Sequence, residues 1–372
     1  MANTELYIGL MSGTSADSID AALLDFGGDS PQLLAQHCHP ISNTLKQQIL
    51  SLCQPDDNEL DRLGELDRIL GQHFADAALA LLDAGDYAAS QICAIGSHGQ
   101  TVRHRPPGSC EHPFTVQIGD PNTIAEQTGI TTIADFRRRD IAVGGQGAPL
   151  APAFHQAAFS APGKERFVIN IGGMANLTHL PVDQPATGYD TGPGNVLLDA
   201  WVHQHLGQPY DPDGHWASQG NSNTQLLAQL MNHPFFALEP PKSTGRESFH
   251  LAWLTAELER FGQQLAAVDV QATLLELTAQ SIAHCVKSST QNRSEVYICG
   301  GGAYNLHLLQ RLEKLVFPHS LTTTQELGLA PEWVEAAAFA WLARQTQLRL
   351  TGNLPSVTGA GKAVILGGIY SA

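Results

Sequence analysis

The chain opens on an apolar, β-prone run, Leu6-Tyr7-Ile8-Gly9-Leu10-Met11, followed by small residues from Ser12 to Ser15. A second extended run at 19–26, a turn at Gly27-Gly28-Asp29-Ser30 and a third run at 32–37 predict three consecutive strands joined by tight turns. The apolar period then lengthens. Helical spacing starts after Ser42 and recurs through 60–82, where Leu63, Leu66, Leu70, Phe74 and Ala78 share one stripe. Residues 92–97 read as a short buried strand running into Ser97-His98-Gly99-Gln100-Thr101, and 131–135 as another. Gly144-Gly145-Gln146-Gly147 reads as a flexible loop and 148–159 as a helix.

A similar order then starts again. Ser160-Ala161-Pro162-Gly163-Lys164 has the composition of a linker. Strand-like patterns follow at 167–171, running into Gly172-Gly173, at 177–181 and near Gly188-Tyr189. Helical stretches come at 195–206, 224–231, 251–266, 273–288 and 306–315, and a strand at 296–299 ends in Gly300-Gly301-Gly302. Two rounds of strands followed by alternating elements predict an α/β protein of two related domains, 1–162 and 163–372, with a cleft between them.

Composition narrows this picture. The 372 residues carry 36 Asp plus Glu against 20 Lys plus Arg, a formal charge of −16. Such a surface repels phosphate backbones, so nucleic acid is an unsuitable partner. Charged residues make up 15%, low against the roughly 25% of average domains, and 43% hydrophobic content is enough to build a core. The six cysteines at 38, 53, 93, 110, 285 and 299 form no C-x-x-C pair, which suits a reducing cytoplasm. No Lys or Arg precedes Lys46, and no apolar run approaches the ~20 residues of a membrane span, so neither a signal peptide nor a membrane anchor is expected.

The 35 glycines matter most. Between the first two strands lies Gly13-Thr14-Ser15-Ala16-Asp17-Ser18-Ile19-Asp20, where small residues let backbone amides approach phosphate oxygens and hydroxyls add donors. Asp17 and Asp20 repel a bare phosphate, so they imply Mg²⁺ between, with Asp17 as a metal ligand, directly or through water. A plain hairpin turn accounts for this segment alone equally well. Gly172-Gly173-Met174-Ala175-Asn176 occupies the corresponding place in the second round, with Gly172, Gly173 and Asn176 as candidate nucleotide contacts. Gly300, Gly301 and Gly302 join a strand to a helix starting near Asn305, which suits a nucleotide, although a tight turn also explains them. Asn305 stands where a third dinucleotide-site glycine belongs, and Lys242-Ser243-Thr244 lacks the preceding glycines of a Walker A loop. Two phosphate-facing hairpins plus a late glycine turn resemble the actin-like, hexokinase-like and Hsp70-like ATPases. That resemblance implies two duplicated ribonuclease-H-like domains flanking an interdomain cleft.

One family is resembled closely, the anhydro-N-acetylmuramic acid kinases. The matching stretches are GLMSGTSADSID at 9–20, IGSHGQTVRH at 95–104, ADFRRRDIAVGGQGAPLAPAFH at 134–155, NIGGMANLT at 170–178, GYDTGPGN at 188–195, PKSTGRESF at 241–249 and ICGGGAYN at 298–305. They run in order nearly end to end. Ser18 departs from the family, which commonly has glycine after the first-loop aspartate, a costly exchange where φ is positive.

The resemblance implies a cytoplasmic enzyme of peptidoglycan recycling and amino-sugar metabolism. It uses ATP, Mg²⁺ and water to turn 1,6-anhydro-N-acetylmuramic acid into N-acetylmuramic acid 6-phosphate, as a homodimer. Asp190, expected at a strand end before the Thr191-Gly192-Pro193-Gly194 turn, matches the family's catalytic aspartate. Without that match it reads as a turn-capping residue. Arg137 suits bidentate binding of the sugar's lactyl carboxylate, against the alternative of a solvated basic run at Arg137-Arg138-Arg139. His98 and Gln100 follow a buried strand, where they suit sugar hydroxyls or the N-acetyl group; an ordinary core histidine is the alternative for His98. Glu335 begins a helix, where it is either an N-terminal charge or, by resemblance, a substrate contact. Two rivals remain. A kinase of another sugar or acid would need no water. A non-catalytic sugar sensor would lack Asp190 or an intact phosphate loop.

Overall fold

Strands β1 (Leu6–Met11), β2 (Ser18–Asp25) and β3 (Gln32–Pro40) form an antiparallel meander, as their alternation predicts. The computed structural model describes residues 4–13, 15–54, 56–245 and 248–372. Helix α1 (Asn43–Leu52) starts at Ser42, whose hydroxyl accepts the Leu45 N–H. Helix α2 (Glu59–Gly85) buries Leu66, Leu70, Phe74 and Ala78 of the predicted stripe, with Leu63 partly buried against the same core. Strand β4 (Ile92–Ser97) adds parallel to β1. A hairpin of β5 (Gln100–Arg105) and β6 (Phe114–Ile118) follows, in a region left unassigned by periodicity. Then come α3 (Pro121–Thr128), β7 (Thr132–Ala134) parallel to β4, α4 (Arg138–Ala142) and α5 (Ala151–Phe159).

The second round repeats the plan. Strands β8 (Arg166–Ile171), β9 (Met174–Leu180) and β10 (Thr187–Pro193) form a meander, and β11 (Glu295–Cys299) and β12 (Ser320–Thr323) add in parallel beyond β8. Helices α6 (Val196–Leu206), α7 (Thr224–Met231), α8 (Leu251–Phe261), α9 (Ala267–Ser289) and α10 (Leu306–Val316) complete it. Helix α9 is buried along most of its length, and its Leu277 and Ile282 join Phe167, Ile169 and Ile171 in one core. In both rounds the order is third, second, first, fourth and fifth strand, the first three antiparallel and the others parallel. This is the ribonuclease-H-like order, present twice in one α/β chain.

The division of the chain differs from the expected 1–162 and 163–372. One unit comprises Met1–Ala158 and Trp333–Ala372, the other Phe159–Glu332. The C-terminal segment returns to the first unit as α11 (Val334–Gln347), α12 (Pro355–Thr358) and β13 (Gly368–Tyr370), which pairs with β7. The reason is local packing. Helix α11 is buried along most of its length, and two strand glycines admit its backbone. A Cβ on Gly9 would lie 1.8 Å from the Ala336 carbonyl oxygen, and one on Gly96 2.1 Å from that of Phe339. A linear reading of periodicity carries no sign of such a return. Among the described residues no helix is long and apolar enough to cross a membrane.

Candidate active site

The first unit holds its glycine loop with side chains. Gln100, buried at the start of β5, accepts the Ser12 hydroxyl at 2.8 Å and donates to the Gly13 and Thr101 carbonyls at 3.3 Å. Its amide therefore shapes the loop. The Ser12 hydroxyl lies near the Ser18 carbonyl as well (3.0 Å). Asp17 pairs with Lys46 of α1, so its carboxylate already has a cation. The Ser18 hydroxyl donates to Asp20 at 3.1 Å, and the Ile19 side chain is buried in the core. The left-handed residue is Ala16 (φ 52°), whereas Ser18 pairs with Pro40 in extended strand. The expected cost of serine at 18 therefore does not arise. Ser15 is exposed, and Thr14 lies outside the described residues.

Beside this loop the same unit gathers three of the predicted sugar contacts. His98 follows β4, Arg137 caps α4 and Glu335 sits in the first turn of α11. The guanidinium of Arg137 donates through Nε (3.1 Å) and Nη2 (2.9 Å) to His98 Nε2, and through Nη1 to the Gly147 carbonyl at 2.8 Å. Burial and the nearby Arg137 push the His98 pKa well below its usual value. The ring is thus neutral, and since Nε2 accepts, Nδ1 carries the proton. Burial lowers Arg137 to about 10, opposed by the charges of Glu335 and Asp140. Arg137 therefore stays cationic at neutral pH.

Asp140 was not singled out from the sequence. It is fully buried and accepts the Gly147 N–H (2.8 Å), Asn353 Nδ2 (2.6 Å) and the Thr358 hydroxyl (2.8 Å). It pins the Gly144–147 loop whose carbonyl holds Arg137. The signal was present in the ADFRRRD stretch, but its partners Asn353 and Thr358 lie more than two hundred residues on.

The second unit presents a row of polar side chains across its sheet. Register places Asn170 of β8 beside Asn176 of β9, and Asn176 beside Asp190 of β10. Asp190 is not at a strand end. The ladder shifts register between Asp190 and Gly192, and β10 continues to Pro193. Such a bulge re-aims a side chain without ending the strand. The Asp190 N–H donates to the Lys242 carbonyl (3.0 Å), and the Thr244 N–H donates to Asp190 Oδ2 (2.9 Å). The failed Walker-like stretch is therefore the clamp on Asp190. Lys242 itself turns away to the Phe235 and Phe236 carbonyls.

Backbone holds the second glycine loop. The Gly173 carbonyl accepts from Gly194 (2.9 Å) and Val196 (3.1 Å), and that of Gly172 from Asn195 (2.8 Å). At the third loop Gly300 has φ 78°, and a Cβ there would lie 2.2 Å from Asn170 Oδ1. A Cβ on Gly302 would strike Ile171, whereas Gly301 faces open space. Asn305 caps α10 through the Leu308 N–H (3.0 Å), where that helix was expected to begin. A cavity of about 550 Å³ opens beside this turn, lined by Asn195, Asp199, Gly301 and Asn305, with Tyr210 and Tyr304 half exposed at it. Its size suits a small molecule, and aromatic faces suit a planar ring.

The profile of the family described as anhydro-N-acetylmuramic acid kinase matches residues 5–372. The chain belongs to the anhydro-N-acetylmuramic acid kinase family. It is 53% identical over 371 residues to the anhydro-N-acetylmuramic acid kinase of Shewanella pealeana (strain ATCC 700345 / ANG-SQ1), covering 100% of both chains. It is 52% identical over 368 residues to that of Coxiella burnetii (strain Dugway 5J108-111), covering 98% of this chain and 97% of the relative. Among solved structures it is similar to component A of the (R)-2-hydroxyglutaryl-CoA dehydratase of Acidaminococcus fermentans. That chain is 12% identical with a TM-score of 0.48, over 91% of this chain and 98% of the other. As a member of the anhydro-N-acetylmuramic acid kinase family the chain is a kinase. Of the motif blocks that carried the resemblance, all but 241–249 map to an element described above; 241–249 lies between α7 and α8, and its Arg246 and Glu247 fall outside the described residues.

Proposed function

We propose that this kinase opens 1,6-anhydro-N-acetylmuramic acid with water and phosphorylates the released 6-oxygen from ATP. The products are N-acetylmuramic acid 6-phosphate and ADP, in peptidoglycan recycling in the bacterial cytoplasm. The observation that carries the reading is the Asp190 carboxylate, fixed on a rigid strand by the Thr244 amide. Asp190 takes a proton from water as the water oxygen bonds to the anomeric carbon. The bond from that carbon to the 6-oxygen breaks, and the 6-oxygen attacks the γ-phosphorus in line, releasing ADP. Arg137 binds the lactyl carboxylate, with His98 fixing its fork and Glu335 facing the sugar's polar groups. Gln100 keeps the first loop in shape for the phosphates.

The loop from Gly13 to Asp20, with Gly172, Gly173 and Asn176, faces the phosphates, and Gly300 to Gly302 face the adenosine, with the cavity beside them taking the base. Carboxylate oxygens suit Mg²⁺, and Asp17, paired with Lys46, would hold the ion directly or through a water. Bound Mg²⁺ neutralises phosphate charge. The family resemblance supports a homodimer.

The test is a product assay with ATP, Mg²⁺ and the anhydro sugar in ¹⁸O-labelled water. Label at the anomeric hydroxyl of a 6-phosphorylated product is the expected result. Phosphorylation without label overturns the hydrolytic step.

A further inference from the structure

Away from this machinery, the first unit carries a second cluster of ligating side chains. Strand β3 is the edge of its sheet, paired only with β2. Its residues alternate in exposure, and Ala35, His37 and His39 share the less exposed face, toward α2. From α2, His73 and Asp76 lie three residues apart and so share a helix face. His73 Nδ1 is 3.4 Å from His39 Nε2. One ligand atom from each of His39, His73 and Asp76 falls within 4.8 Å of the others.

Two nitrogens bound to a tetrahedral ion at about 2.0–2.1 Å stand roughly 3.3–3.4 Å apart, which is the spacing seen. The His37 ring lies 5.8 Å from that of His39, and its Nε2 is buried with no hydrogen-bond partner.

We propose that His39, His73 and Asp76 form a binding site for a borderline transition cation of the Zn²⁺, Ni²⁺ or Co²⁺ class, clipping α2 to the edge strand β3. Imidazole with one carboxylate selects such ions over Mg²⁺ and Ca²⁺, which prefer oxygen donors throughout. Three protein ligands leave a fourth position for water. Ile19 of β2, the strand that leads out of the first glycine loop, stands opposite His39, so the clip stiffens β3 against that strand. The site does not depend on the proposed reaction.

Zn²⁺ titrated calorimetrically into chelator-stripped full-length protein tests this. One ion per chain is expected, with a raised melting temperature. His73→Ala and Asp76→Asn each weaken binding by about tenfold or more. Kinase turnover of His73→Ala stays within about twofold of the parent, showing that the fold survives. Co²⁺ in place of Zn²⁺ gives the visible absorption of a tetrahedral site, lost in the His39→Gln, His73→Ala double variant. No saturable Zn²⁺ binding, or binding unchanged in both single variants, overturns the site.

Discussion

The two units share one strand order and place a glycine loop at the same hairpin, yet they secure it by different means. In the first unit, side chains add to the backbone bonds of Ala16 to Gly13 and Ile41 to Asp17: Gln100 on Ser12 and Gly13, and Lys46 on Asp17. In the second, backbone secures it. Carbonyls of Gly172 and Gly173 take amides at the start of α6, and Gly300 and Gly302 leave room for no side chain. A side-chain tether is lost in steps of about 1 kcal/mol each. A backbone cradle fails once a Cβ intrudes. The units also differ in charge, since the first offers the cation Arg137 and the second the carboxylate Asp190.

The largest effect expected falls on that carboxylate. Asp190→Asn keeps an oxygen for the Thr244 amide but loses the base, so turnover drops by at least about 10²–10⁴-fold. The melting temperature stays near that of the parent. Product formation and thermal unfolding measured together check this, and near-normal turnover removes Asp190 from its role. Arg137→Ala comes next. Hydrogen bonds to a charged group are worth about 1.5–3 kcal/mol, so kcat/KM for the sugar falls by roughly 10–150-fold. The KM for ATP is unchanged, because the effect belongs to the sugar alone. Arg137→Lys restores charge without the planar fork that His98 accepts, and rescues little. An equal loss in both KM values would break the assignment of Arg137 to the sugar.

Much of this contrast was legible in the sequence. The opening meander, the α2 stripe and the strands into Gly172 and Gly300 follow from local periodicity and turn chemistry. What escaped was non-local. The return of α11 to the first unit depends on Gly9 and Gly96 meeting a helix over three hundred and two hundred residues on, and it puts Glu335 in the unit of Arg137. The Asp190 bulge and its Thr244 clamp are tertiary too: 191–194 reads as a turn by composition, and the register with β9 carries the strand on to Pro193. Asn170 sits in a quoted motif, yet only its place opposite Asn176 marks it as part of the row.

A glycine pair sharpens the backbone half of the comparison. Gly300→Ala puts a methyl against Asn170 at positive φ and destabilises by about 1–3 kcal/mol. Gly301→Ala, one residue on, meets nothing closer than 4.0 Å and changes stability by less than about 0.5 kcal/mol. Denaturant unfolding of the two variants reads the difference directly. Equal losses would mean that the turn is not held by close approach to β8.

The smallest effect belongs to the exposed tether of the first loop. Lys46 and Asp17 are both partly open to solvent, and such pairs contribute about 0–1 kcal/mol. Lys46→Ala is therefore expected to cost no more than that in unfolding. It leaves the Gln100 hydrogen bonds in place, so the loop keeps its course. The freed Asp17 carboxylate no longer shares its charge with an ammonium, which tips the balance toward a Mg²⁺-bound water. The KM for MgATP accordingly shifts by no more than about fivefold, since a change of up to ~1 kcal/mol allows no larger factor. Raised ionic strength shrinks the effect further, because an exposed pair is screened. A stability loss in Lys46→Ala matching that of Gly300→Ala would show that one side-chain tether carries as much as the backbone cradle, and the contrast between the two loops would fail.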